Sequence, residues 1–62
     1  MFAIADERED GRSYWWCGGL TWLANVDEAA KFETYEYARH TIELIRKATG
    51  DRFPALRVEE LA

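Results

Sequence analysis

Sixty-two residues with a net charge of −4 make a single domain, residues 1–62, and leave no interior for a deep substrate cleft: a chain this short buries only about 60% of the surface its unfolded form exposes. Three Trp, three Tyr and three Phe answer that shortage, because each buried ring removes roughly 150–250 Å² from water, while one cysteine excludes an internal disulfide framework. Residues 1–36 hold eight acids against three bases, a sign that serves solubility, disfavours direct contact with a phosphate backbone and suits a basic partner surface.

Along the chain, residues 2–6 alternate bulky and small side chains and read as a short strand. Asp10-Gly11 is a hairpin signal, so residues 1–8 and 12–17 are expected to pair through a type I′ turn. Two- and three-residue loops both fit and differ by one pairing step, which leaves the register open. Ser13-Tyr14-Trp15-Trp16-Cys17 is the second strand, rich in residues that suit a pleated surface. Gly18-Gly19 breaks or bends it, and residues 20–23 resume it with Trp22 as a lid on the core. Residues 25–30 read as a helical turn capped by Asn25 or Asp27, and residues 31–33 as a brief extended link.

The main helix is expected over residues 35–48. Tyr35, Ala38, Thr41, Ile42, Ile45 and Ala48 recur at three- and four-residue steps, Tyr37 and Leu44 widen the stripe, and the charged residues fall outside it. Thr34 can cap its N-terminus and Gly50 suits its close. Pro54 then stops any continued helix. In residues 55–61, Leu56 and Val58 alternate with Arg57 and Glu59, the pattern of a strand with one wet face. The implied fold class is α+β: a small, mostly antiparallel sheet made of a β-hairpin and a C-terminal strand, with the helix packed on one face and the last strand beside the first. No apolar stretch approaches a membrane span, the short apolar start runs straight into Asp6 and Glu7, and the lone thiol fits a reducing compartment, so a cytoplasmic protein is expected.

Trp15 and Trp16 are neighbours on a strand, so they point to opposite faces and the helix can cover only one. The other ring either meets a partner or is covered by residues 20–30. The acidic run Asp6-Glu7-Arg8-Glu9-Asp10 lies at the hairpin tip, where it either meets Lys and Arg of a partner or is a solvated turn that discourages edge pairing. Asp27 and Glu28 suit the first turn of a helix. Cys17 and His40 are the only thiol and imidazole. A nucleophilic pair requires them in hydrogen-bond reach, yet His40 lies off the helical stripe and Cys17 suits the core. One Cys and one His without spaced companions do not make a metal site, and Gly18-Gly19 lacks the lysine and helix of a phosphate loop. Glu36/His40 and Glu43/Lys47 sit at i,i+4 as surface support for the helix.

The run from Asp27 to Ala38, which reads DEAAKFETYEYA, resembles a pattern in very small phage and mobile-element proteins. In those, an aromatic hairpin leads to Ala-Lys-x-Phe-x-Thr-like residues, a helix and a final strand. Here Lys31 abuts Phe32 directly, a departure from that spacing. The resemblance covers residues 14–61 and is structural: it implies that Ala30 and Phe32 dock the helix start and that Thr34 caps it, and it transfers no catalytic residue. It also implies an accessory protein, since small acidic members of such gene sets look like anti-CRISPR proteins that block host nuclease complexes.

The expected function is therefore a non-enzymatic acidic protein-binding module, a phage-type inhibitor acting in the host cytoplasm on a larger protein or nucleoprotein complex with a basic surface. Its expected partner-binding residues are Glu7, Glu9, Asp10, Trp15 and Trp22, with no cofactor, no metal, no membrane and no direct nucleic-acid contact. The alternatives are a structural homodimer that covers an open sheet edge and the extra Trp by self-association, and thiol chemistry at Cys17.

Overall fold

The computed structural model describes residues 1–50, 52–53 and 55–61; the helix stop expected at Pro54 lies outside them. The elements in order are β1 (Phe2–Glu7), β2 (Ser13–Trp16), β3 (Trp22–Leu23), a 3₁₀ turn (Val26–Glu28), α1 (Tyr35–Thr49) and β4 (Leu56–Glu60). The strands form one antiparallel sheet in the order β3-β2-β1-β4, and α1 packs on β1 and β4. This is the α+β arrangement of the sequence reading, with β4 beside β1 as expected.

The first hairpin sets Ala5 opposite Trp15, Asp6 opposite Tyr14 and Glu7 opposite Ser13. At its tip the Arg8 N–H donates to the Arg12 carbonyl at 2.9 Å, and the Gly11 N–H donates to the Arg8 carbonyl at 2.9 Å. The loop is thus the three-residue one, Glu9-Asp10-Gly11. The expected type I′ turn does not form, because it requires positive φ at both central residues, and among the described residues only glycines have it. Asp10 stays at negative φ, its Oδ1 accepting the Arg12 N–H at 2.9 Å, and Gly11 alone takes φ 80°, the bulge position that glycine fills at least cost.

Gly18 and Gly19 do more than bend β2. With φ of 106° and 55° they reverse the chain: Cys17 N–H donates to Thr21 O and Thr21 N–H to Gly18 O, each at 3.0 Å. β3 therefore runs back antiparallel to β2, with Leu23 opposite Trp15 and Trp22 opposite Trp16. The 3₁₀ turn that follows is capped by Asn25, whose side chain accepts the Asp27 N–H at 3.0 Å. Beyond it, Ala30 N–H donates to Trp16 O at 2.9 Å, and Phe2 and Phe32 exchange a pair of 2.8 Å backbone bonds. The expected extended link is thus seated in the sheet beside the start of β1.

The core gathers Ile4, Ala38, Ile42, Ile45 and Leu56, with Phe2, Trp16, Trp22, Phe32, Phe53 and Val58 packed around them. Thr34 caps α1 as expected, its Oγ1 accepting the Tyr37 N–H at 3.1 Å; Gly50 closes it with φ 68°. The buried stripe is narrower than its apolar pattern. Ala38, Thr41, Ile42 and Ile45 are buried, whereas Ala48 is exposed and Tyr35, Tyr37 and Leu44 keep 45%, 65% and 52% of their surface in water. One helix on a sheet of short strands has contact along a single line, so the flanks of its apolar arc stay wet. The two tyrosines use their rings at the margin: Tyr35 meets Phe2 edge-on at 6.0 Å, and Tyr37 lies 5.5 Å from Phe32.

Candidate partner-binding face

Strand alternation divides the sheet's side chains. Ile4, Tyr14, Trp16, Trp22, Leu56 and Val58 share the face under α1, in cross-strand register with one another, and Ala3, Ala5, Glu7, Ser13, Trp15, Leu23, Arg57 and Glu59 share the other. Trp16 is the ring on the helix side. It stacks on Phe32 at 6.1 Å with an interplanar angle of 11°, and its Nε1–H donates to the Gly19 carbonyl at 3.0 Å. Trp15 is half-buried and looks away from α1.

The five expected contact residues are not all brought together. Glu7 lies on the face of Trp15, two residues beyond its partner Ala5, and Glu9 and Asp10 are exposed at the adjoining hairpin tip. Trp22 is on the opposite face, its ring centroid 5.0 Å from that of Phe53, as the lid on the core that its position suggested. Leu23 takes the place beside Trp15 instead. It is 42% exposed and directly opposite Trp15 in the register. Its alternation with Trp22 was the available signal, but two residues are too few to distinguish a strand from a loop.

Arg57 organises the charge on this face. From β4 its Nη2 donates to Ser13 Oγ on β2 at 3.0 Å, its Nη1 is 3.6 Å from Glu7 Oε2, and its Nε donates to Glu59 Oε1. The guanidinium thus reaches across β1, where its cross-strand partner Ala5 is fully buried. The short side chain of Ala5 leaves that path open. Because Arg57 and Glu7 are well exposed, their ion pair contributes no more than about 1 kcal/mol. On the other face, buried Asp6 accepts from Arg8 Nε at 3.1 Å, and Arg8 lies 4.3 Å from the centre of the Tyr14 ring. The acids along β1 are therefore paired internally, whereas Glu9 has no side-chain partner among the described residues.

Away from this face, the Cys17 thiol donates to the Trp15 carbonyl at 3.2 Å and His40 is exposed on α1; no hydrogen bond joins them among the described residues. The i,i+4 pairs expected at Glu36/His40 and Glu43/Lys47 form no ion pair there either. Arg39 has its pKa raised above the ordinary value, first by the Tyr35 hydroxyl and then by Glu43. Among the described residues no group of three or more His, Cys, Asp or Glu is arranged to hold a metal ion, and no helix is long and apolar enough to cross a membrane. Comparison with protein families, curated proteins and solved structures finds no match to this chain.

Proposed function

We propose that this chain is a non-enzymatic protein-binding module, a phage-type inhibitor of the anti-CRISPR kind that docks on a larger host protein or nucleoprotein complex in the cytoplasm. The observation that carries the reading is the pairing of Trp15 with exposed Leu23 on the face away from α1, with Glu7 on that face and Glu9 and Asp10 at the tip beside it. A Trp anchor inside a polar rim is the composition of a binding hot spot, and Leu23 adds apolar contact area beside it. The acidic rim selects a basic surface on the partner and speeds the encounter with it.

The test begins with an affinity pulldown from the native host and mass spectrometry of the captured proteins. The recovered partner is then titrated with Trp15→Ala and with Glu9→Lys/Asp10→Lys, each checked for folding by circular dichroism. Weakened binding by both is expected. Wild-type affinity in both folded variants would remove this face as the site.

A further inference from the structure

The edge of β4 carries a pattern that fits its own copy. The alternation of the ladder fixes which backbone groups are free: Phe2 exchanges its bonds with Phe32 on the β2 side, and Leu61 N–H donates to Met1 O on the β4 side. Ala3 and Ala5 therefore bond Glu59 and Arg57, and the N–H and C=O groups of Leu56, Val58 and Glu60 point outward. Among the described residues none of these has a backbone partner on that side.

We propose that a second copy of this chain pairs antiparallel along β4, about a two-fold axis through Val58. In that register the outward groups of Val58 bond those of its own copy, and Leu56 bonds Glu60 of the other chain. Arg57 then stands opposite Glu59 at the non-hydrogen-bonded positions, where cross-strand side chains approach most closely. The strand Leu-Arg-Val-Glu-Glu is thus charge-complementary by position in this register, an acid standing opposite each Arg57 and a base opposite each Glu59, and Arg57 meets that acid by turning its guanidinium back from Ser13 and Glu7. The isologous contact closes as a dimer and joins two sheets into one.

The helix layer agrees. α1 rests on β1 and β4, at the side of the sheet where the axis falls. Strands spaced about 4.8 Å apart then put the two α1 helices about 10 Å apart, the separation at which helices pack. The open groove of about 300 Å³ between α1 and β4, flanked by Tyr35, Arg39, Glu43 and Arg46, faces its equivalent across the axis. The outer faces bearing Trp15 lie on one side of the joined sheet, so the dimer presents two such faces to a partner.

Sedimentation velocity from about 1 to about 500 μM tests the proposal, because a dimer must dissociate on dilution. The wild-type chain is expected to shift from monomer to dimer over that range, with the amides of Leu56, Val58 and Glu60 gaining hydrogen-exchange protection as it does. Glu59→Arg sets like charges across the axis and is expected to weaken dimerisation about tenfold, and Arg57→Glu combined with Glu59→Arg to recover it. Glu60→Pro removes an outward N–H that no intrachain bond uses, so it leaves the fold intact, as circular dichroism checks, and weakens the dimer as well. A wild-type chain that is monomeric throughout overturns the proposal and leaves the edge for a strand of another protein. A dimer indifferent to both Glu59→Arg and Glu60→Pro overturns it too, by placing the contact elsewhere.

Discussion

Trp15 and Trp16 are adjacent in the chain and serve opposite faces because a strand turns successive side chains to opposite sides. The consequence extends to Trp22, opposite Trp16 on β3 and packed on Phe53. Trp22→Ala is expected to destabilise the fold by about 3 kcal/mol, seen as a lower urea midpoint, whereas Trp15→Ala costs less and acts on partner affinity. Equal destabilisation by the two would contradict the assignment of faces. Among the described residues Ile4 is the largest fully buried side chain, and Ile4→Ala is expected to cost about 2–5 kcal/mol in the same measurement. Which tryptophan lies inward was open in the sequence, since both have the same local pattern. What decides it is register: Tyr14, Trp16 and Leu56 line up with Ile4 and Asp6, and Trp15 with Ala5.

Elements this short depend on their ends. The first hairpin turns on Gly11 at φ 80° with nothing within 4 Å of an added side chain. Gly11→Ala therefore meets no clash and carries only the backbone cost of the left-handed region, about 1 kcal/mol. Its thermal midpoint should fall by a few degrees, roughly what 1 kcal/mol costs a domain of this size. Thr34→Ala removes the acceptor for Tyr37 N–H and is expected to cost about 1 kcal/mol, read as lost stability at the start of α1 by hydrogen exchange. The two sites differ in how far local pattern carried. The Thr34 cap follows from a hydroxyl set before an apolar-periodic run, and the helix it begins was legible for the same reason. The hairpin loop was not, because Asp10-Gly11 is compatible with two loop lengths and only the Arg8–Arg12 pairing selects one.

Across the molecule the acids are unevenly engaged. Asp6 and Glu7 are paired with Arg8 and Arg57, and the tip beyond them projects Glu9 and Asp10 into water. Steering by that tip is screened over a Debye length of about 8 Å at physiological salt. Association with a basic partner should therefore slow as salt rises from about 50 to about 500 mM while dissociation changes little, a contrast that surface plasmon resonance measures directly. A salt-independent association rate would detach the acidic tip from recognition. Stability should respond weakly to the same salt, because the ion pairs of Arg57 are exposed and each is worth little.

Local residue order was enough for the inventory: an aromatic hairpin, one amphipathic helix with its cap, a last strand with one wet face, and the α+β class they imply. These depend on contacts between near neighbours in the chain, which propensity and periodicity encode. The pairing of Leu23 with Trp15 depends on a chain reversal that the local pattern left as a bend, and the reach of Arg57 to Ser13 and Glu7, the seating of Phe32 beside Phe2 and the exposure of Tyr37 and Leu44 depend on residues far apart in sequence. They emerge only when strand register and the position of α1 over β1 and β4 are set together, since a slip of one residue exchanges every inward side chain for an outward one.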